Sequence, residues 1–294
     1  MEFQSFFITA ERPNLGLAVT VAAGVTNMVL DALLVGVFSL GLVGAAVATA
    51  ISQAVGAIIP LVYFASKQKS LLRLTRFKAN GSALLKTCTN GSSELMSNVS
   101  MSLVGMLYNI QLLKYAGEDG VAAYGVMMYV NMIFIALFIG YSIGTAPVIG
   151  YHFGALNHGE LRGILRKSLV IISAISVCML GAAVLLASPL SKLFVSYDAD
   201  LLELTVRGFY IFSFSFLFAG FAIFLSGFFT ALNDGLTSAI ISFLRTLVFQ
   251  IAAVMLLPLI WEIDGIWLSV VVAELMAVAV GFFFLFLKKG KYKY

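Results

Sequence analysis

Leu15–Phe38 reads LGLAVTVAAGVTNMVLDALLVGVF, a run whose only charged side chain is Asp31. A membrane-spanning helix needs about 20 mostly apolar residues, and this run exceeds that, so it is read as a crossing (span A). A short turn leads to a second such run, Leu42–Phe64 (B). Six more follow: C, Gly91–Leu113; D, Val121–Tyr151; E, Leu169–Ala187; F, Gly208–Ala231; G, Leu236–Leu259; and H, Ile266–Leu287. The apolar runs are continuous and do not alternate, which argues against a barrel. Over the whole chain 61% of residues are hydrophobic and 11% charged, with a mean hydropathy of +1.02. A soluble domain carries about a quarter charged residues. The expected fold is therefore an all-α integral membrane protein with about eight transmembrane helices.

Lysine and arginine placement orients the spans. Lys67, Lys69, Arg73, Arg76, Lys78 and Lys86 lie between B and C, and Arg162, Arg166 and Lys167 between D and E. Lys288, Lys289, Lys291 and Lys293 follow H, and Arg12 precedes A. Threading eight helices puts all of these on one side, against Lys114, Lys192 and Arg207 on the other. The positive-inside rule assigns the richer side to the cytoplasm. The N- and C-termini of this chain are expected there, in a multi-pass protein of the cell (plasma) membrane. The basic loop is read as this topological signal and not as a nucleic-acid surface.

An internal repeat organises the spans. Sliding residues 7–64 along by 221 brings Phe7 onto Phe228, Ala10 onto Ala231, Gly44 onto Gly265 and Gln53 onto Glu274. The implied unit has six helices. Spans C to H form one copy, and A and B are the last two of a preceding copy whose first four helices are not in this sequence. The expected organisation is residues 1–66 as the end of an N-terminal lobe and 67–90 as a basic cytoplasmic linker. Residues 91–287 then form a six-helix C-terminal lobe, and 288–294 a basic tail. Repeats of this kind are common in transporters, with sites near the midplane.

Ionisable groups at bilayer depth cost several kcal/mol unless paired or wet, which makes them functional candidates. There are four: Asp31, Glu94, Arg245 and Glu274. On span A, Thr20, Gly24, Asn27 and Asp31 share a face, and span B answers with Thr49, Ser52 or Gln53, Gly56 and Pro60. A carboxylate beside amide and hydroxyl oxygens suits Na⁺, or a proton if desolvated; Asn27 and Thr49 could equally be hydrogen-bonding links between helices. Span C carries a polar stripe, Gly91, Glu94, Asn98, Ser102, Gly105 and Asn109, which should face helices or an aqueous cavity. Arg245 and Glu274, on neighbouring spans, form a candidate ion pair, with snorkelling of Arg245 as the alternative. Cys88 and Cys178 read as buried thiols, and His152 and His158 as solvated loop residues. No HExxH, GxSxG, Walker A or CxxC motif is present, so an enzyme is not expected, nor any cofactor or metal beyond a coupling Na⁺.

Several stretches together resemble the MATE family, the multidrug and toxic compound extrusion transporters. Glu11-Arg12-Pro13-Asn14-Leu15-Gly16 followed by Thr26-Asn27-Met28-Val29-Leu30-Asp31 is similar to that family's fifth helix. Gly44-Ala45-Ala46-Val47-Ala48-Thr49 is similar to its sixth, and Ser93-Glu94-Leu95-Met96 to its seventh. Gly150-Tyr151-His152-Phe153-Gly154-Ala155 is similar to the cytoplasmic end of its eighth. The resemblance implies twelve helices in two six-helix lobes. It also implies a monomer, embedded in membrane lipid, that exports cationic and amphipathic small molecules against inward flow of Na⁺ or H⁺. On this resemblance Asn27, Asp31 and Thr49 fall on a cation site of the N-terminal lobe, and Glu94 on a coupling acid of the C-terminal lobe. Two features depart from the family: the first helix, which contributes an aspartate to the N-lobe site, is not in this sequence, and span F lacks the acid that some members place in the tenth helix. A flippase for lipid-linked precursors and a truncated, non-transporting remnant are the alternatives.

Overall fold

The computed structural model describes residues 2–66 and 80–294, with helices, short turns and no strand among them. Lys67, Lys69, Arg73, Arg76, Lys78 and most of the expected linker lie outside the described residues. The chain divides into two compact units, Met1–Asn80 and Gly81–Tyr294.

The first unit holds α1 (Glu2–Thr9), α2 (Pro13–Asp31) and α3 (Gly41–Ala65), with a π-helix, Ala32–Val37, prolonging α2. Pro13 sits in the first turn of α2, where its missing N–H is no loss and its φ is pre-set for helix. Fully buried Phe7 meets Tyr63 and Phe64, with centroids 5.2 and 5.1 Å away, and so ties α1 to the end of α3. The inward face of α3 recurs every fourth residue: Gly44, Ala48 and Ser52 are buried, Gly56 is half-buried, and Pro60 and Phe64 are buried again. Small residues let helix backbones approach closely, and a Cβ on Gly44 would stand 3.0 Å from the Leu34 carbonyl oxygen.

The second unit comprises α4 (Gly81–Gly154), α5 (His158–Val195), α6 (Ala199–Ser213), α7 (Phe216–Ala231), α8 (Gly235–Phe243), α9 (Phe249–Leu256) and α10 (Pro258–Tyr292). A second π-helix, Leu244–Val248, joins α8 to α9. The 74 residues of α4 would measure about 110 Å as a straight helix, several bilayer cores long. They do not run straight. Gly117 takes φ 63°, and the rings of Tyr108 and Tyr124 stack 5.3 Å apart, whereas unbroken helix would separate them by about 24 Å. The chain reverses at Gly117, and the two arms are the expected spans C and D.

Among the described residues six helices are long and apolar enough to cross a membrane, or seven when α6 and α7, bent by 48°, count as one. The reversal at Gly117 divides one of them, which gives the eight crossings expected from the sequence. Helix α7 is the axis of the second unit, packing against α4, α5, α8 and α10.

The entry to α10 is the tightest approach of backbone to a glycine among the described residues. A Cβ on Gly265 would fall 2.4 Å from the Leu257 carbonyl oxygen. The slide of 221 that maps Gly44 onto Gly265 also maps Gly41, at φ 52°, onto Glu262, at φ 47°. The same left-handed joint thus turns the chain into the second helix of each pair. The atoms that obstruct a side chain at Gly265 are main chain and cannot rotate aside. Gly265→Ala is therefore expected to cost about 1–3 kcal/mol, seen as a lower melting temperature in detergent. Gly105→Ala, with nothing within 4 Å of its Cβ, should stay within about 1 kcal/mol of the parent. Equal melting of the two variants would contradict the packing described for α10.

Two expectations are corrected here. Cys88 and Cys178 are exposed; a thiol is a small apolar group and is as compatible with lipid as with a core. His152 and His158 are not loop residues. They lie in α4 and α5, half-buried, each with Nδ1 shut off from solvent and unpartnered.

Candidate functional site

In the first unit, Asn27 and Asp31 lie one turn apart on α2, both half-buried. Oδ1 of Asp31 is shut off from solvent and has no hydrogen-bond partner. Asp31 is also the last residue before the π-helix, where the Phe38 N–H donates to the Leu33 carbonyl five residues back. A π-turn carries an extra residue, which shifts the following helical face relative to the preceding one, and such turns recur at functional sites. Thr49 is exposed and donates its hydroxyl to its own helix, at Ala45 O, 2.9 Å away. Ser52 is the buried hydroxyl on α3, and it donates to Thr49 O. The structure thus brings Asn27 and Asp31 onto one face but does not join Thr49 to them by a hydrogen bond. Glu94 lies on α4, and its side chain is outside the described residues.

In the second unit a polar network crosses three segments. Arg245, inside the second π-helix, grips Glu274 of α10. Nε donates to both carboxylate oxygens at 3.1 and 2.8 Å, and Nη2 donates to Oε1 at 2.8 Å. Both side chains are largely buried, 16% and 6% exposed. One turn further along each helix, the Tyr108 hydroxyl of α4 lies 2.7 Å from Gln250 Oε1 and 2.7 Å from Ser269 Oγ. Gln111 donates to Val254 O at 3.2 Å. Arg245 therefore meets Glu274 and does not reach for an interface. Sequence reasoning misses the network members Tyr108, Gln111, Gln250 and Ser269; their signal is a polar group one turn from a neighbour's charge, visible only once the helices are paired. The polar stripe of α4 turns the other way. Ser102 and Asn109 are exposed on the unit, while Val104, Tyr108 and Leu112 fill its interior.

The MatE family model matches residues 95–256, over half of the chain. This chain belongs to the MatE family. Multidrug export protein MepA of Staphylococcus aureus (strain MSSA476) is 25% identical over 249 residues, covering 84% of this chain and 54% of that protein. The chain thus spans about half the length of the curated relatives it matches. A MOP superfamily transporter from Pyrococcus furiosus shares the fold with a TM-score of 0.89 at 23% identity, over 96% of this chain and 64% of that one. So does a point mutant of the Vibrio cholerae MATE transporter VcmN, with a TM-score of 0.85 at 20% identity, over 98% of this chain and 65% of that one. This MatE chain is a multi-pass membrane protein built on the fold of those transporters.

At the basic end of the MatE chain, α10 is tied to α8. The Tyr292 hydroxyl donates to Asp234 Oδ2 at 2.7 Å, Lys288 Nζ stands 3.4 Å from the same oxygen, and Asp234 Oδ1 caps α8 by accepting from the Thr237 N–H at 3.3 Å. Burial pushes the Asp234 carboxyl up, but the Tyr292 and Thr237 hydrogen bonds and the Lys288 charge outweigh it and hold it below the usual carboxylate range. The stabilisation this provides is whole above the ordinary carboxylate value of about 4 and is lost as pH falls through the lower folded-state value. Asp234→Asn keeps a cap acceptor but removes the titrating charge. The variant is expected to show a shallower fall in melting temperature than the parent as pH drops below about 4. Identical slopes would remove Asp234 from the acid response.

Proposed function

We propose that this chain is part of a cation-coupled, alternating-access exporter of cationic and amphipathic small molecules. It lies in the cell membrane with its basic end in the cytoplasm. The observation that carries the reading is Asp31, a carboxylate with a shielded, unpartnered oxygen, one turn from an amide and at the mouth of a π-turn. A carboxylate oxygen shut off from water with nothing to answer it is costly, and a bound Na⁺ or H⁺ relieves that cost. Cation occupancy then biases the equilibrium between lobe arrangements by its differential affinity for them, and by no more than that. Asn27 is positioned to add an amide oxygen, and Glu94 is assigned the coupling role in the other lobe. Thr49 contributes if its hydroxyl leaves Ala45. Relatives named as multidrug export proteins support the substrate class.

A flippase for anionic lipid-linked precursors would use a free cation within the helices. Arg245, the candidate for it among the described residues, is already held by Glu274, so that reading is disfavoured. The test is ethidium efflux from cells expressing the whole exporter of which the chain is part, with the Na⁺ or proton gradient dissipated in turn. Efflux that stops with one gradient is the expected result. Gradient-independent efflux, or none from the properly inserted whole, would overturn the assignment.

A further inference from the structure

A groove of about 880 Å³ runs along α7, walled by α5 on one side and α10 on the other. Arg162 and Arg166, in the first turns of α5, and Lys289, near the end of α10, stand at its mouth. None of the three has an ion-pair partner among the described residues. No acidic residue lines the groove; Glu160, on the first turn of α5, is not part of its wall. Behind the cations the surface is apolar and aromatic, with Phe218 and Phe221 on the floor and Phe282 on the α10 wall. From Lys289 the α10 wall descends to Val278, eleven residues or about 16 Å of helix. That depth is half of the roughly 30 Å hydrocarbon core, the length of one leaflet. Tyr294 closes the rim, with its hydroxyl donated to Leu285 O at 2.9 Å.

We propose that this groove binds one anionic phospholipid of the leaflet on the basic side, its phosphate held by Arg162, Arg166 and Lys289 and an acyl chain lying over Phe218 and Phe221. Charge complementarity selects the occupant. Three converging cations without an acid among them favour a net negative headgroup. A zwitterionic lipid brings a cation of its own into their company, and a soluble phosphate makes no use of a leaflet-deep apolar floor.

Native mass spectrometry of the purified chain, titrated with phosphatidylglycerol or phosphatidylcholine, tests this. The parent is expected to retain one phosphatidylglycerol with a preference on the order of a hundredfold, from about three lysine or arginine contacts. The Arg162→Gln/Arg166→Gln/Lys289→Gln variant should lose the preference, and Lys291→Gln/Lys293→Gln, outside the groove, should keep it. Val170→Trp, at an exposed groove position, fills the groove without altering charge and should lose the bound lipid; it decides the matter if the triple variant does not fold. Glycerol phosphate should fail to displace the lipid. Equal retention of the two lipids, retained preference in the triple variant, or displacement by glycerol phosphate would each overturn the proposal.

Discussion

Replacing Glu274 with alanine is expected to cost about 3–5 kcal/mol of folding stability, the usual consequence of removing one partner from a buried ion pair. Arg245 makes three hydrogen bonds to that carboxylate, and its guanidinium cannot shed its charge. Without Glu274 it remains charged inside the unit, with only 16% of its side chain reaching the surface. Removing both charges has a different effect. Arg245→Met/Glu274→Leu keeps volume and contact and should recover most of the loss, since well-packed apolar pairs often equal or exceed buried ionic ones. Arg245→Lys should rescue poorly, because an ammonium cannot reproduce the two-pronged grip of Nε and Nη2. Thermal unfolding in detergent reads all four proteins. A loss below about 1 kcal/mol for Glu274→Ala would place the pair among solvent-screened surface bridges and contradict its burial.

Asp31→Asn should have the opposite signature. The amide keeps the size and the hydrogen-bonding oxygen of the carboxylate but can neither carry a proton nor neutralise a cation. If Asp31 is the coupling group, the effect of the cation on transport, typically about 5–150-fold for a coupling of this kind, collapses to none. The unpartnered oxygen predicts a second readout. A carboxylate oxygen shielded from water without a partner destabilises the fold, so neutralising the group should leave the melting temperature unchanged or raised, the pattern of a residue kept for function at the expense of stability. Cation-dependent ethidium efflux and melting temperature, measured on the same preparation, separate the cases. Unchanged cation dependence would end the assignment. A marked drop in melting temperature would make Asp31 a structural link.

The two charged sites differ in how far the sequence can reveal them. Arg245 and Glu274 stand out because any ion in a long apolar run does, and their spans are consecutive. Asp31 stands out for the same reason, and its helical spacing from Asn27 puts the two on one face, as the structure does. Thr49 follows the same helical spacing on α3 but lies off the face by which that helix packs. The helix is registered by its small residues, Gly44, Ala48, Ser52 and Gly56, which bury a face that leaves Thr49 exposed. Tyr108, Gln250 and Ser269 each look ordinary on their own helix, and their meeting depends on how three helices are rotated. The two π-turns have no sequence signature comparable to a glycine or a proline, yet Asp31 borders one and Arg245 lies inside the other. The spans themselves are legible because twenty or so apolar residues in a row are hard to disguise, and the reversal at Gly117 is marked by the polar residues Lys114, Glu118 and Asp119 around it.

The bend between α6 and α7 bears on how the chain is made. Its arms hold 15 and 16 residues, each about 23 Å long, and neither matches a hydrocarbon core of roughly 30 Å. The upper arm also carries Asp200, Glu203 and Arg207. As the nascent chain emerges, α6 cannot settle in the bilayer as a stable crossing by itself. It is committed only when α7, the helix on which four others converge, has followed it. A helix against which four others pack is thus also a late decision during synthesis, and α8 to α10 can dock only after that decision has been made.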